Sequence, residues 1–176
     1  MTTPHPQPRA QSRYRVAQLN PRQPTAFALV PDAQARAAIA DELGLSALPA
    51  LRFAGEIRPA PSDAWEVTAQ LSAKVVQPCV VSLAPVSTAL REEVHRVFSP
   101  HAAAPQGDEV EMGDDELEPL GAFIDIEAMM VEALTLALPL YPRAEGASLD
   151  PTPDTPEEET RKPFADLAEL MKKRDG

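Results

Sequence analysis

"AWEVTAQLSAKVV", residues 64–76, alternates with a period of two along nearly its whole length. Trp65, Val67, Ala69, Leu71 and Ala73 fall on one side; Glu66, Thr68, Gln70, Ser72 and Lys74 fall on the other. Successive strand side chains point to opposite faces of a sheet, so the pattern predicts a strand with one buried face and one solvated face. Similar segments flank it. Upstream, "ALRFAGEIRP" sets Leu51, Phe53, Gly55 and Ile57 against Arg52, Glu56 and Arg58, and "PAPSD" supplies a turn between the two. Downstream, "CVVSL" reads as a further strand after Pro78. "STALREEVHRVF" follows, with Leu90, Val94 and Phe98 at spacings that suit strand or helix; its place after a run of strands favours strand. Strands joined by short turns imply an antiparallel sheet.

Helices are expected on both sides of this run. "PDAQARAAIADELGL" is rich in alanine, the best helix former, with Asp32 at its start and Gly44 as its stop. "RYRVAQLN" and "TAFALV", before it, predict two short strands. "FIDIEAMMVEALTLALPL" predicts a short strand and a helix that is apolar all round, hence buried. The fold class is therefore α+β, a mostly antiparallel sheet with a few packing helices, over residues 13–141. Proline, 20 of 176 residues, concentrates outside these elements. Residues 1–12 read as a disordered tail, 101–121 as an acidic loop and 142–162 as a proline-rich acidic linker. Residues 163–176 read as an amphipathic helix with Phe164, Leu167, Ala168 and Met171 on one stripe, a face able to dock on a partner or on the chain itself.

Charge is unevenly placed. Residues 1–100 carry 10 Lys and Arg against 8 Asp and Glu, whereas residues 101–176 carry 6 against 19. A polyanion is repelled by the second half, so any RNA contact is expected in the first, with Arg13, Arg15 and Arg22 of the acid-free opening stretch as candidates. No run reaches the ~20 apolar residues needed to span a bilayer. The opening residues lack the apolar core of a secretory signal, and a cytoplasmic location without membrane contact is expected.

Cys79 is the single cysteine, so no internal disulfide is available. A reactive thiol needs nearby cations or a helix N-terminus, and Gln77, Pro78, Val80 and Val81 offer neither. Burial in the sheet is the favoured reading. A zinc module at Cys79 would need further ligands from His95, His101 or the distant His5, without a second sulfur. No nucleophile elbow, phosphate loop, dinucleotide fingerprint or paired-histidine zinc motif is present. The acidic cluster Asp114, Asp115, Glu116 and Glu118 is the one place a divalent ion could serve an RNA-processing enzyme; a solvated loop is the plainer reading. Neither cofactor, metal nor small-molecule substrate is expected.

Four segments in order carry a family resemblance: "DELGLSALPALRFAGEI", "WEVTAQLSAKVVQPCVVSLAPV", "FIDIEAMMVEALTLALPLYP" and "KPFADLAEL". Together the chain resembles the YceD family, the large ribosomal RNA subunit accumulation proteins of bacteria. Relatives often read C-x-R-C-L-x-P-V in the second segment. Here Cys79, Leu83, Pro85 and Val86 match, while Val81 replaces the arginine and Ser82 the second cysteine. A paired-cysteine role is thereby put in doubt. The resemblance implies a non-enzymatic part in large-subunit rRNA accumulation and ribosome assembly, with ribosomal proteins or rRNA precursors as partners.

Overall fold

The computed structural model describes residues 11–102 and 117–148. Along the chain it forms β1 (Arg13–Arg15), a 3-10 turn (Val16–Gln18), β2 (Thr25–Leu29), α1 (Ala33–Glu42), β3 (Ala47–Ala60) and β4 (Ala64–Pro78). Then come β5 (Pro85–Ser99), β6 (Leu117–Pro119), β7 (Phe123–Asp125) and α2 (Ile126–Ala137). The main sheet has the order β2-β3-β4-β5-β6, antiparallel except for the parallel β5–β6 pair. The α+β expectation stands.

The alternation in β4 does what its pattern requires. Val67, Leu71 and Val75 are wholly buried, and Phe53 and Ile57 of β3 join them on the same face. That inner face packs with Ile124 of β7, with Ile126, Met130 and Leu134 of α2, and with Ile39 and Ala40 of α1 in one core. Each helix starts at an aspartate whose carboxylate accepts the third-residue N–H: Asp32 from Ala35 at 2.8 Å, Asp125 from Ala128 at 3.0 Å. Such caps satisfy backbone donors that the first turn leaves unpaired. Gly44, at φ +64°, ends α1 in the left-handed conformation that glycine adopts freely. Gly55 has a different reason to be glycine: a Cβ there would lie 2.0 Å from the Thr68 carbonyl oxygen across the strand pair.

Several boundaries differ from the sequence reading. "CVVSL" is not a strand but the turn joining β4 to β5. Pro78 and Pro85 face each other at its base, and proline brings no N–H to continue a ladder. The first strand stops at Arg15, and Val16–Gln18 turns away. Ser12, placed in the tail, anchors the chain instead: its carbonyl accepts the Ile126 N–H at 2.8 Å. The acidic loop is shorter at its far end, because Leu117–Pro119 forms β6 against Val97–Ser99. Pro142 and Ala144, expected in a linker, are hydrogen-bonded to the β4–β5 turn. The helix expected over 163–176 lies outside the described residues, with its Phe164, Leu167 and Met171, as do Asp114, Asp115 and Glu116.

Candidate nucleic-acid interface

The outer face of the sheet carries the even-numbered residues of β3 and β4. In register, Arg52 lies opposite Ser72 and Ser72 opposite Arg91; one step along, Ala50, Lys74 and Ala89 align in the same way. Arg52, Lys74 and Arg91 are exposed. Arg36 of α1 adds a fourth cation at the edge, held by Nε donating to the Leu48 carbonyl at 3.1 Å and Nη1 to that of Pro31 at 2.7 Å. Together they wall an open groove of about 580 Å³ whose lining contains no acidic residue. Alanine side chains and Ser72 keep it shallow. Arg52, Lys74 and Arg91 have no acidic partner among the described residues. Further along the same face the charge changes, with Glu56 and Glu93 bordering a second depression of about 390 Å³. One end of the face is therefore cationic and the other mixed.

Two of the three arginines expected from sequence are engaged within the fold. Arg13 pairs with Asp125 at 3.0 Å, and its guanidinium stands 5.0 Å from the Phe123 ring centre, with that of Arg15 at 5.4 Å. Both tie β1 to β7. Arg22 is exposed in the turn before β2, apart from the groove. Sequence reasoning sought a contiguous basic stretch and missed four cations separated by 16 to 22 positions. The signal that could have found them was cross-strand register: once β3, β4 and β5 are aligned as hairpins, Arg52 and Arg91 flank Ser72.

The family-motif positions sit at the tip of the β4–β5 hairpin. Cys79 is completely covered. Its Sγ accepts backbone N–H groups from Ala144 at 3.3 Å, Val81 at 3.4 Å and Ser82 at 3.4 Å. Together with the Ser82 hydroxyl, these donors lower the thiol pKa from 9.0 to about 6: the Ala144 N–H foremost, then the Ser82 side chain and its N–H, with burial opposing them. The expectation that nothing near Cys79 lowers its pKa is thus corrected. The cause is hydrogen bonding by backbone N–H groups and the Ser82 hydroxyl, not neighbouring side-chain charge. Leu83 holds φ +60°, rare for a branched residue, while its N–H bonds the Cys79 carbonyl at 3.0 Å. Leu83 is 78% exposed; Leu140 at 86% and Tyr141 at 77% are exposed on the segment that the turn holds through Val80 N–H to Pro142 O. Ser82 and Pro85 are exposed and Val86 half-buried.

Among the described residues no group of three or more His, Cys, Asp or Glu is placed to hold a metal ion. His95 Nε2 lies 2.8 Å from Glu66 Oε1, and Glu118 pairs with Arg96, as does Glu132 at 2.8 Å. These two glutamates push the Arg96 pKa up, Glu132 contributing most. No helix among the described residues is long and apolar enough to cross a membrane.

The chain matches no curated protein and no solved structure. Residues 67–171 match the family model described as large ribosomal RNA subunit accumulation protein YceD. The match takes in the hairpin tip, α2 and the stripe through Met171, and leaves out the first of the resembling segments, residues 41–57. Spanning more than half of the sequence, it establishes that the chain belongs to the YceD family, with a role in accumulation of the large ribosomal RNA.

Proposed function

We propose that the chain supports large-subunit rRNA accumulation as a cytoplasmic binding factor in ribosome assembly, engaging rRNA precursors or ribosomal proteins and turning over no substrate. The observation that carries this reading is the outer face of the sheet, which no other described residues cover, with Arg36, Arg52, Lys74 and Arg91 at one end. A flat face with short side chains between long cations suits a large, charged partner better than a small molecule, which needs an enclosing pocket. The exposed Leu83 at the hairpin tip, and Leu140 and Tyr141 on the chain after α2, offer apolar side chains for protein contact.

The test is affinity capture of the full chain from growing cells, with and without ribonuclease, alongside sedimentation at low salt. Large-subunit precursors or their proteins should be recovered, and the chain should travel with precursor particles. Finding it only among free proteins, with no ribosomal component captured in either arm, overturns the reading, as would turnover of RNA or nucleotide by the purified chain.

A further inference from the structure

We infer that the groove between Arg36, Arg52, Lys74 and Arg91 takes the sugar–phosphate backbone of double-helical RNA, without reading base sequence. This rests on the proposed function and specifies which surface performs it and on what. Three observations lead there. The first is charge: the lining brings together cations from α1, β3, β4 and β5 and excludes carboxylates, on a chain whose net charge is −11. Sheet register places Arg52, Lys74 and Arg91, and two backbone carbonyls hold Arg36 beside them, so the cluster is a fixed surface rather than a chance meeting of loops.

The second is spacing. Arg52 and Arg91 lie on either side of β4, about 10 Å apart at Cα given the usual strand separation, with Lys74 about 7 Å along the strand direction. Long cationic side chains on that triangle reach several phosphates of one strand at once. Arg36 is already fixed by two backbone carbonyls, so it presents its charge in one place at little further entropic cost.

The third is the character of the floor. None of the lining residues is aromatic, so no platform exists for stacking unpaired bases, the main source of affinity for single strands. Ser72, between the two arginines, is the only uncharged hydrogen-bonding side chain in the lining and suits a ribose 2′-hydroxyl. Phosphate contact without stacking favours the higher charge density of a duplex. An acidic peptide would meet the same charges, but the family's tie to large-subunit rRNA favours nucleic acid.

The experiment uses the full chain and a labelled 20-base-pair RNA duplex, with a 20-nucleotide oligouridine as comparison, in fluorescence anisotropy over a salt series. Arg52→Ala, Lys74→Ala and Arg91→Ala are combined in one variant; all three side chains are exposed, and thermal unfolding checks that the fold persists. Removing three phosphate contacts should cut the slope of log K against log salt by about 2 to 3 and weaken duplex binding roughly tenfold or more at low salt. Arg22→Ala should leave both unchanged. Duplex affinity unaltered in the folded triple variant overturns the groove as the site, even if precursor capture still succeeds. Tighter binding of oligouridine than of duplex overturns the choice of ligand. A synthetic peptide of residues 150–160 is the last arm: its loss in the triple variant while duplex binding persists would assign the groove to acidic protein and overturn the inference.

Discussion

Three backbone N–H groups converge on Cys79 Sγ, and one comes from Ala144, 65 residues away. The thiol thus acts as the acceptor that knots the hairpin tip to the chain following α2. Its folded pKa of about 6 lies below the ordinary 9.0, so the charged form is the better acceptor and is favoured by folding. The sign follows: the added stability is fully present above the unfolded value and is lost as pH falls through the folded one. The stability gap between the native chain and Cys79→Ala should therefore widen from pH 6 to pH 9. Denaturant melts across that range, with thiolate absorbance at 240 nm in parallel, check this; a constant gap would mean the thiol stays neutral. Sequence showed Cys79 to be a small buried side chain, and it is. Its donors were not legible there, because they depend on a turn and on a residue far along the chain.

At the level of elements, β4 declared itself through alternation, and its hairpin with β3 followed from a short turn. The hairpin with β5 was obscured by reading "CVVSL" as a strand between them. The extent of the β4–β5 hairpin depended instead on Pro78 facing Pro85, which no single-strand pattern reveals. β6 was hidden for another reason: Leu117–Pro119 is short and sits among acids, and only Val97–Ser99 beside it makes it a strand. Of the helix starts, Asp32 was read from sequence and Asp125 was not. Asp125 caps α2 and also pairs with Arg13, so two substitutions separate its roles. Asp125→Asn keeps a capping side chain and should cost only the exposed ion pair, about 0.5 kcal/mol. Asp125→Ala should cost about 1 kcal/mol more, the usual loss of a cap, in equilibrium urea unfolding.

Among the described residues, one face of the main sheet is sealed by α2, α1 and β7, and the other is left open with its cations at one end. The α+β class and the sealed face were legible from apolar periodicity. The solvated face was legible with it, but the cluster of cations on that face was not, since exposure of Thr68, Gln70 and Lys74 says nothing about which strand stands beside them until register is known. Closure of the sealed side depends on the small β1–β7 sheet, where Tyr14 lies opposite Ile124 and its ring stands 6.3 Å from that of Phe27. Deleting the chain through Arg15 should uncover Ile124 and lower the melting temperature by about 5 °C or more, read by calorimetry.

That same pairing sets an order of events during synthesis. Arg13–Arg15 leaves the ribosome before its partner strand Phe123–Asp125, which is made roughly 110 residues later. Until then the opening strand must wait as an unpaired edge, the kind of delay that slows maturation and invites wrong partners. A chain stalled before residue 123 would accordingly be protease-sensitive at its beginning, and one extended past Ala144 would be able to close both ends of its architecture at once.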